Sequence, residues 1–158
     1  MAIKDLLLSE FDEEMKKTRT MLERVPADKK DFAPHTKSMT MGRLAPHVAE
    51  LSGFGLTVLT TPGLDFGDGS YKPLAFESTE QLVRALDDGG AKVRHALQNM
   101  PDEAWKENWK LSYQGKPLFE GPRFPVDHLT NQNPMVSSAD GPYVDGRGLS
   151  FRRRYTPS

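Results

Sequence analysis

From Lys4 to Val25 apolar residues recur every three or four positions, at Leu7, Leu8, Phe11, Met15, Leu22 and Val25. Thr18 fills the one gap, and charged residues occupy the positions between. This spacing puts the apolar side chains on one side of a helix and predicts an amphipathic helix there. Pro26 ends it, because proline lacks the backbone donor and disfavours helical geometry in the residue before it. Ala27 to Ser38 is a polar loop. Thr40 then stands as the N-cap of a second helix whose stripe is Met41, Leu44, Val48, Leu51, Gly55 and Val58, with His47 lying beside that stripe. Thr60-Thr61-Pro62-Gly63 closes the segment, and Leu64 to Pro73 reads as a surface loop. Ser78 caps a third helix, with Leu82, Leu86, Val93, Leu97 and Met100 as its apolar stripe. Gly89-Gly90 interrupts its middle at a cost of roughly 0.8 to 1.0 kcal/mol per glycine relative to alanine, so packing must hold this helix.

Pro101 opens a short helical turn through Trp105. Asn108 to Tyr113 and Lys116 to Glu120 flank Gln114-Gly115 and predict a small hairpin. Three amphipathic helices need a fourth apolar surface to close their core, and chain remains for it only after Phe124. There the pattern stops. Residues 125 to 158 hold no Lys and no Glu, both frequent before that point, and carry four of the prolines together with Arg152-Arg153-Arg154. At most Val126 to Asn133 suits a helix. The expected organisation is a helical unit over 1–124 and a divergent, poorly ordered segment over 125–158.

Composition narrows the function. The chain has 158 residues, enough for one ordinary domain. It is 37% hydrophobic and 27% charged, without the ~20 consecutive apolar residues of a membrane helix. Its start lacks the basic head and unbroken apolar run of a signal peptide, so a cytoplasmic location with no membrane partner is expected. A formal net charge of -1 gives no basic field for nucleic acid. The absence of cysteine removes disulfides, thiolate metal ligands and a thiol nucleophile. Any metal must then use carboxylates or the four histidines, His35, His47, His95 and His128. No glycine-rich turn joins a strand to a helix, so there is no phosphate-binding loop.

Three segments carry a resemblance. Phe11-Asp-Glu-Glu-Met-Lys-Lys-Thr-Arg, Pro34 to Leu51 with Leu44-Ala-Pro-His47-Val-Ala-Glu50 at its centre, and Trp109 to Arg123 resemble, in order and spacing, the DinB-like superfamily, which includes the bacillithiol S-transferases. The resemblance implies an all-α fold, an antiparallel four-helix bundle, often a homodimer, here with a short or degraded fourth helix. It also implies a divalent metal, of zinc or nickel type, held by three histidines. His47 takes the place of the ligand from the second helix. The other two belong to a His-x-x-x-His pair on the fourth helix. Here His128 is the nearest candidate, and Gln132 stands where its partner would be. The implied activity is that of a metal-dependent S-transferase or hydrolase acting on a small-molecule or thiol substrate, with the metal lowering the pKa of a bound thiol or water. The competing reading is a non-catalytic helical bundle, a binding or stress-associated protein, that has lost the metal. The altered tail fits either divergence or a shifted reading frame near residue 124.

Other polar residues have plainer readings. Asp12, Glu13 and Glu14 are expected on a solvated face. Glu50, one turn after His47, either supports that histidine or is a surface charge. Trp105, Trp109 and Tyr113 either line a pocket or cover the end of the core. His35 and His95 are expected at the surface.

Overall fold

The computed structural model describes residues 3–67, 69 and 71–123, together with the backbone of two short strands, 143–145 and 148–150. Helix α1 is Ile3–Leu22, α2 is Met41–Thr60 and α3 is Thr79–Asn99. Strand β1 is Gly63–Asp65, β2 is Asn108–Tyr113 and β3 is Lys116–Pro122, with a 3-10 turn at Asp102–Lys106 before β2. Strands β4, Tyr143–Asp145, and β5, Gly148–Ser150, pair antiparallel with each other.

The three helices form where the apolar period puts them. Ser78 caps α3 as its position suggests, its hydroxyl accepting from the Gln81 amide at 3.1 Å. Thr40 precedes α2 with extended backbone, but its side chain makes no cap bond. Helices α1 and α2 both lie mainly against α3 and scarcely against each other. The Gly89-Gly90 pair explains this closeness. A methyl group on Gly89 would collide with the Ser52 hydroxyl of α2, and one on Gly90 with the Met15 methyl of α1. The two glycines thus sacrifice helix propensity for close approach on both flanks of α3. One buried cluster joins Leu7, Phe11, Leu59, Val93, Leu97, Met100 and Trp105. A second joins Leu22, Ala45, Val48, Ala49, Phe76, Leu82 and Leu86.

The expected all-α four-helix bundle is corrected. Three helices and a three-stranded mixed sheet, in order β1-β2-β3, make an α+β arrangement. The hairpin forms as predicted, β2 pairing antiparallel with β3. The difference lies in the segment read as a surface loop after α2, which contributes β1, parallel to β2 with Leu64 opposite Leu111. Gly63 permits this, since any side chain there would meet the Lys110 carbonyl. Asp65 then secures the hairpin turn. Gln114 and Gly115 both have positive φ, 48° and 77°, the left-handed geometry of a tight two-residue turn and unusual for glutamine. Their amides donate to the Asp65 carboxylate at 2.8 and 2.7 Å, as does the Gly67 amide at 2.8 Å. These bonds, that of Gly67 foremost, hold the Asp65 carboxyl below the usual carboxylate range.

Core closure near the sheet comes from Trp105 and Trp109, 1% and 0% exposed, in place of a helix. Trp109 meets Phe54 of α2 edge-on, ring centroids 5.9 Å apart, and Phe54 stacks on Phe66 beyond β1. The possible helix Val126 to Asn133 and the 124/125 boundary lie outside the described residues.

Candidate functional site

Helix α2 carries the candidate chemistry. Pro46 sits inside it, leaving the Gly42 carbonyl without its usual donor from residue 46, but both Ala45 and Pro46 are buried and the helix continues. His47 follows at once and is half-buried. Its imidazole makes no hydrogen bond to any described residue. Burial pushes its pKa below the ordinary histidine value and Arg43 adds to this, while Glu50 acts in the opposite sense. At neutral pH the ring is therefore neutral, with a lone pair available to a proton or a metal.

Glu50 has a definite task. Its carboxylate accepts from the Tyr71 hydroxyl at 2.8 Å and from the Leu74 amide at 3.0 Å, fastening the segment after β1 against α2. Partial burial first, and this hydrogen bond second, push the Tyr71 hydroxyl up to about 12. No local sign marks the pair along the chain, because Tyr71 lies in a loop 21 residues further on. Glu50 is thus no bare surface charge, and its hydrogen bonds go to Tyr71 and Leu74 rather than to His47.

The opposite end of α2 is held by Arg123. Its guanidinium, 7% exposed, donates to the carbonyls of Val58 at 2.8 Å, Leu59 at 2.9 Å and Thr61 at 3.3 Å, and to Glu107 Oε2 at 3.1 Å. A cation on the last carbonyls of a helix satisfies orphan acceptors and meets the negative end of the helix dipole.

The remaining candidates separate. His35 is exposed and its Nδ1 accepts from the Lys37 amide at 3.0 Å. His95 is exposed on α3 beside Asn99. His128 lies outside the described residues. Trp105 and Trp109 are core residues, whereas Tyr113 is exposed. Asp12 pairs with Arg94 at 2.9 Å on the surface, as its exposed position suggested. Glu14 departs from expectation. Its side chain is 12% exposed, Oε1 holds Lys17 at 2.7 Å, and Oε2 faces inward.

Among the described residues no group of three His, Cys, Asp or Glu side chains is arranged to hold a metal ion. His47 fits one position of a metal shell, and the described residues do not supply the others. Among them no helix is long and apolar enough to cross a membrane. No protein-family model, curated protein or solved structure matches the chain.

Proposed function

We propose that the protein is an enzyme of the DinB-like S-transferase or hydrolase type in which His47 is the working side chain. The observation that carries this reading is the half-buried, neutral imidazole that forms no hydrogen bond to any described residue. A histidine whose ring nitrogens are buried by packing satisfies them locally. His47 instead keeps a basic nitrogen in reserve. That nitrogen is suited to accept a proton from a thiol or water, or to bind a divalent ion whose remaining ligands, His128 among them, would come from outside the described residues. A divalent ion so held would lower the pKa of a bound thiol or water. Glu50, one turn from His47, serves as a positioning residue that ties the Tyr71 to Leu74 segment to α2.

The test is elemental analysis of untagged protein beside a His47→Ala variant, followed by thiol-transfer and hydrolysis assays. Near-stoichiometric metal that vanishes with His47, and activity that vanishes with it, is the expected result. Activity unaffected by the substitution overturns the reading. A second reading, a non-catalytic binding protein, draws on Glu50: both its oxygens already have partners, which leaves His47 without a free carboxylate beside it on α2. It predicts neither metal nor turnover.

A further inference from the structure

The segment that joins α1 to α2 is built as a closed surface loop. The Phe32 carbonyl accepts from the Met41 amide at 2.7 Å and the Lys30 carbonyl from the Gly42 amide at 2.8 Å, so residues 32–41 form a loop whose ends meet. Gly42 keeps that seam tight, since a methyl group there would stand 3.1 Å from the Lys30 carbonyl oxygen. Inside the loop the Lys37 amide donates to His35 Nδ1 at 3.0 Å and the Ser38 amide to the His35 carbonyl at 2.9 Å. The loop is therefore shaped before any partner arrives, which lowers the ordering cost of binding.

Its surface chemistry differs from that of the helices. From Arg24 to Arg43 stand five cations, Arg24, Lys29, Lys30, Lys37 and Arg43, against two carboxylates, Asp28 and Asp31. That is a local excess of three positive charges in a chain whose formal net charge is -1. None of the five forms an ion pair among the described residues, where Lys17, Arg19 and Arg94 of α1 and α3 are held by Glu14, Asp87 and Asp12. Lys30 lies 5.3 Å over the Phe76 ring, and the other four are exposed. Between Asp31 and Glu50 the chain carries no carboxylate. Among these charges Phe32 is 55% exposed. A lone exposed apolar side chain needs no explanation. An aromatic ring standing out of a preformed loop among cations matches two layers of an anionic bilayer at once, the phosphates for the cations and the acyl boundary for the ring. A nucleic-acid duplex meets the charges alone, because its apolar surface is stacked inside.

We propose that the loop between α1 and α2 is a docking surface for an anionic lipid bilayer, with Phe32 set at the headgroup boundary and Arg24, Lys29 and Lys37 on the surrounding phosphates. The attachment is peripheral and reversible, since one ring and a few cations fall far short of the apolar area of a spanning helix. His47 takes no part in it, so the surface stands or falls independently of the activity assigned to that residue.

The test is co-sedimentation of the full chain with vesicles of phosphatidylcholine alone, or of phosphatidylcholine and phosphatidylglycerol in equal amounts, at low and at physiological salt. The expected result is binding to the anionic vesicles only, weakened by salt. Lys29→Gln combined with Lys37→Gln weakens it by about fivefold per charge, and Phe32→Ser by about tenfold. Lys16→Gln combined with Lys92→Gln removes as much charge from exposed sites on α1 and α3 and changes binding by less than about twofold, because salt screens charges that do not touch the bilayer. Arg43, one turn before His47, is left unaltered so that the reading of that residue is undisturbed. Absence of binding to the anionic vesicles overturns the proposal, as does equal loss in the two double variants. Binding that Phe32→Ser leaves unchanged also overturns it and assigns the charges to a soluble polyanion. Binding untouched by every loop variant overturns it in favour of Arg152-Arg153-Arg154. All the substituted side chains are exposed, and the contrast between the two vesicle compositions on the unaltered chain needs no variant at all.

Discussion

The two ends of α2 treat their polar groups in opposite ways. At the C-terminal end, the carbonyls of Val58, Leu59 and Thr61 all accept from one guanidinium, that of Arg123, which a carboxylate holds in turn. Toward the N-terminal end, Glu50 is engaged by the following loop while the His47 ring keeps its nitrogens free of hydrogen bonds to the described residues. Groups engaged in this way fix a structure, even though the buried Arg123 Nε has no partner among the described residues. A half-buried imidazole with no partner among the described residues keeps a ring nitrogen available, and perturbed titratable groups of this kind cluster at functional sites.

The sharpest way to break this contrast is at Arg123. Replacing it with alanine leaves three carbonyls and the Glu107 carboxylate without their donor, so a loss of about 2 to 4 kcal/mol is expected. Lysine would restore little of it, having no planar fork to reach several acceptors at once. Urea denaturation measures this. If Arg123→Ala unfolds at the same midpoint as the unaltered chain, the clasp is ornamental and the contrast fails.

Next in size is the helix contact at Gly89. Alanine gains roughly 1 kcal/mol of helix propensity there, but overpacking costs roughly 1 to 3 kcal/mol, giving a small net loss. Gly90→Ala should be nearly neutral or stabilising, because the flexible end of Met15 can move aside. Adding Ser52→Ala to Gly89→Ala should recover stability by removing the colliding hydroxyl. A double variant no more stable than Gly89→Ala alone would show that the glycine has another purpose.

The Glu50 tie is weaker, because the Tyr71 side chain is largely solvent-exposed. Tyr71→Phe is expected to cost less than about 1 kcal/mol at neutral pH. The folded hydroxyl titrates at about 12, above the ordinary tyrosine value of about 10. Its contribution is therefore fully present below about pH 10 and is lost as pH rises through 12. Ultraviolet difference titration of Tyr71→Phe against the unaltered chain should remove one high-pH ionisation. Loss of an ordinary tyrosine titration instead would mean that the bond to Glu50 does not persist in solution.

His47 gives the smallest effect on stability and the opposite sign. Its folded pKa is lowered, so the unfolded chain binds the proton more readily and stability falls as pH drops below about 6.5. In His47→Gln that part of the acid destabilisation disappears. Melting temperatures of both proteins across that range check it, and parallel curves would contradict the assigned burial.

Much of the helical layer was legible because its signals are local. The period of three and four, Pro26 as a stop and Ser78 as a cap act within a few residues, although α1 ends at Leu22, before the predicted Val25. The turn at Gln114-Gly115 was legible for the same reason. Strand β1 was not, since three residues carry almost no pattern and its partner lies more than 40 residues away. Glu14 was assigned to the wrong side because it borders the stripe of Phe11, Met15 and Thr18, where helical phase alone does not separate rim from interior. The position of His47 beside the stripe was readable, but not the absence of a hydrogen bond to its ring from the described residues, since the partners of neighbouring Glu50, Tyr71 and Leu74, lie in a later loop.

The central claim, that His47 is held neutral and uncommitted for use, is tested most directly by the imidazole nitrogen resonances of His47. They would be followed from about pH 8 to about pH 4 and then with added zinc at neutral pH. The account predicts a titration below the ordinary histidine value and a zinc-induced shift of one ring nitrogen. A titration at or above that value, with no response to zinc, would contradict it.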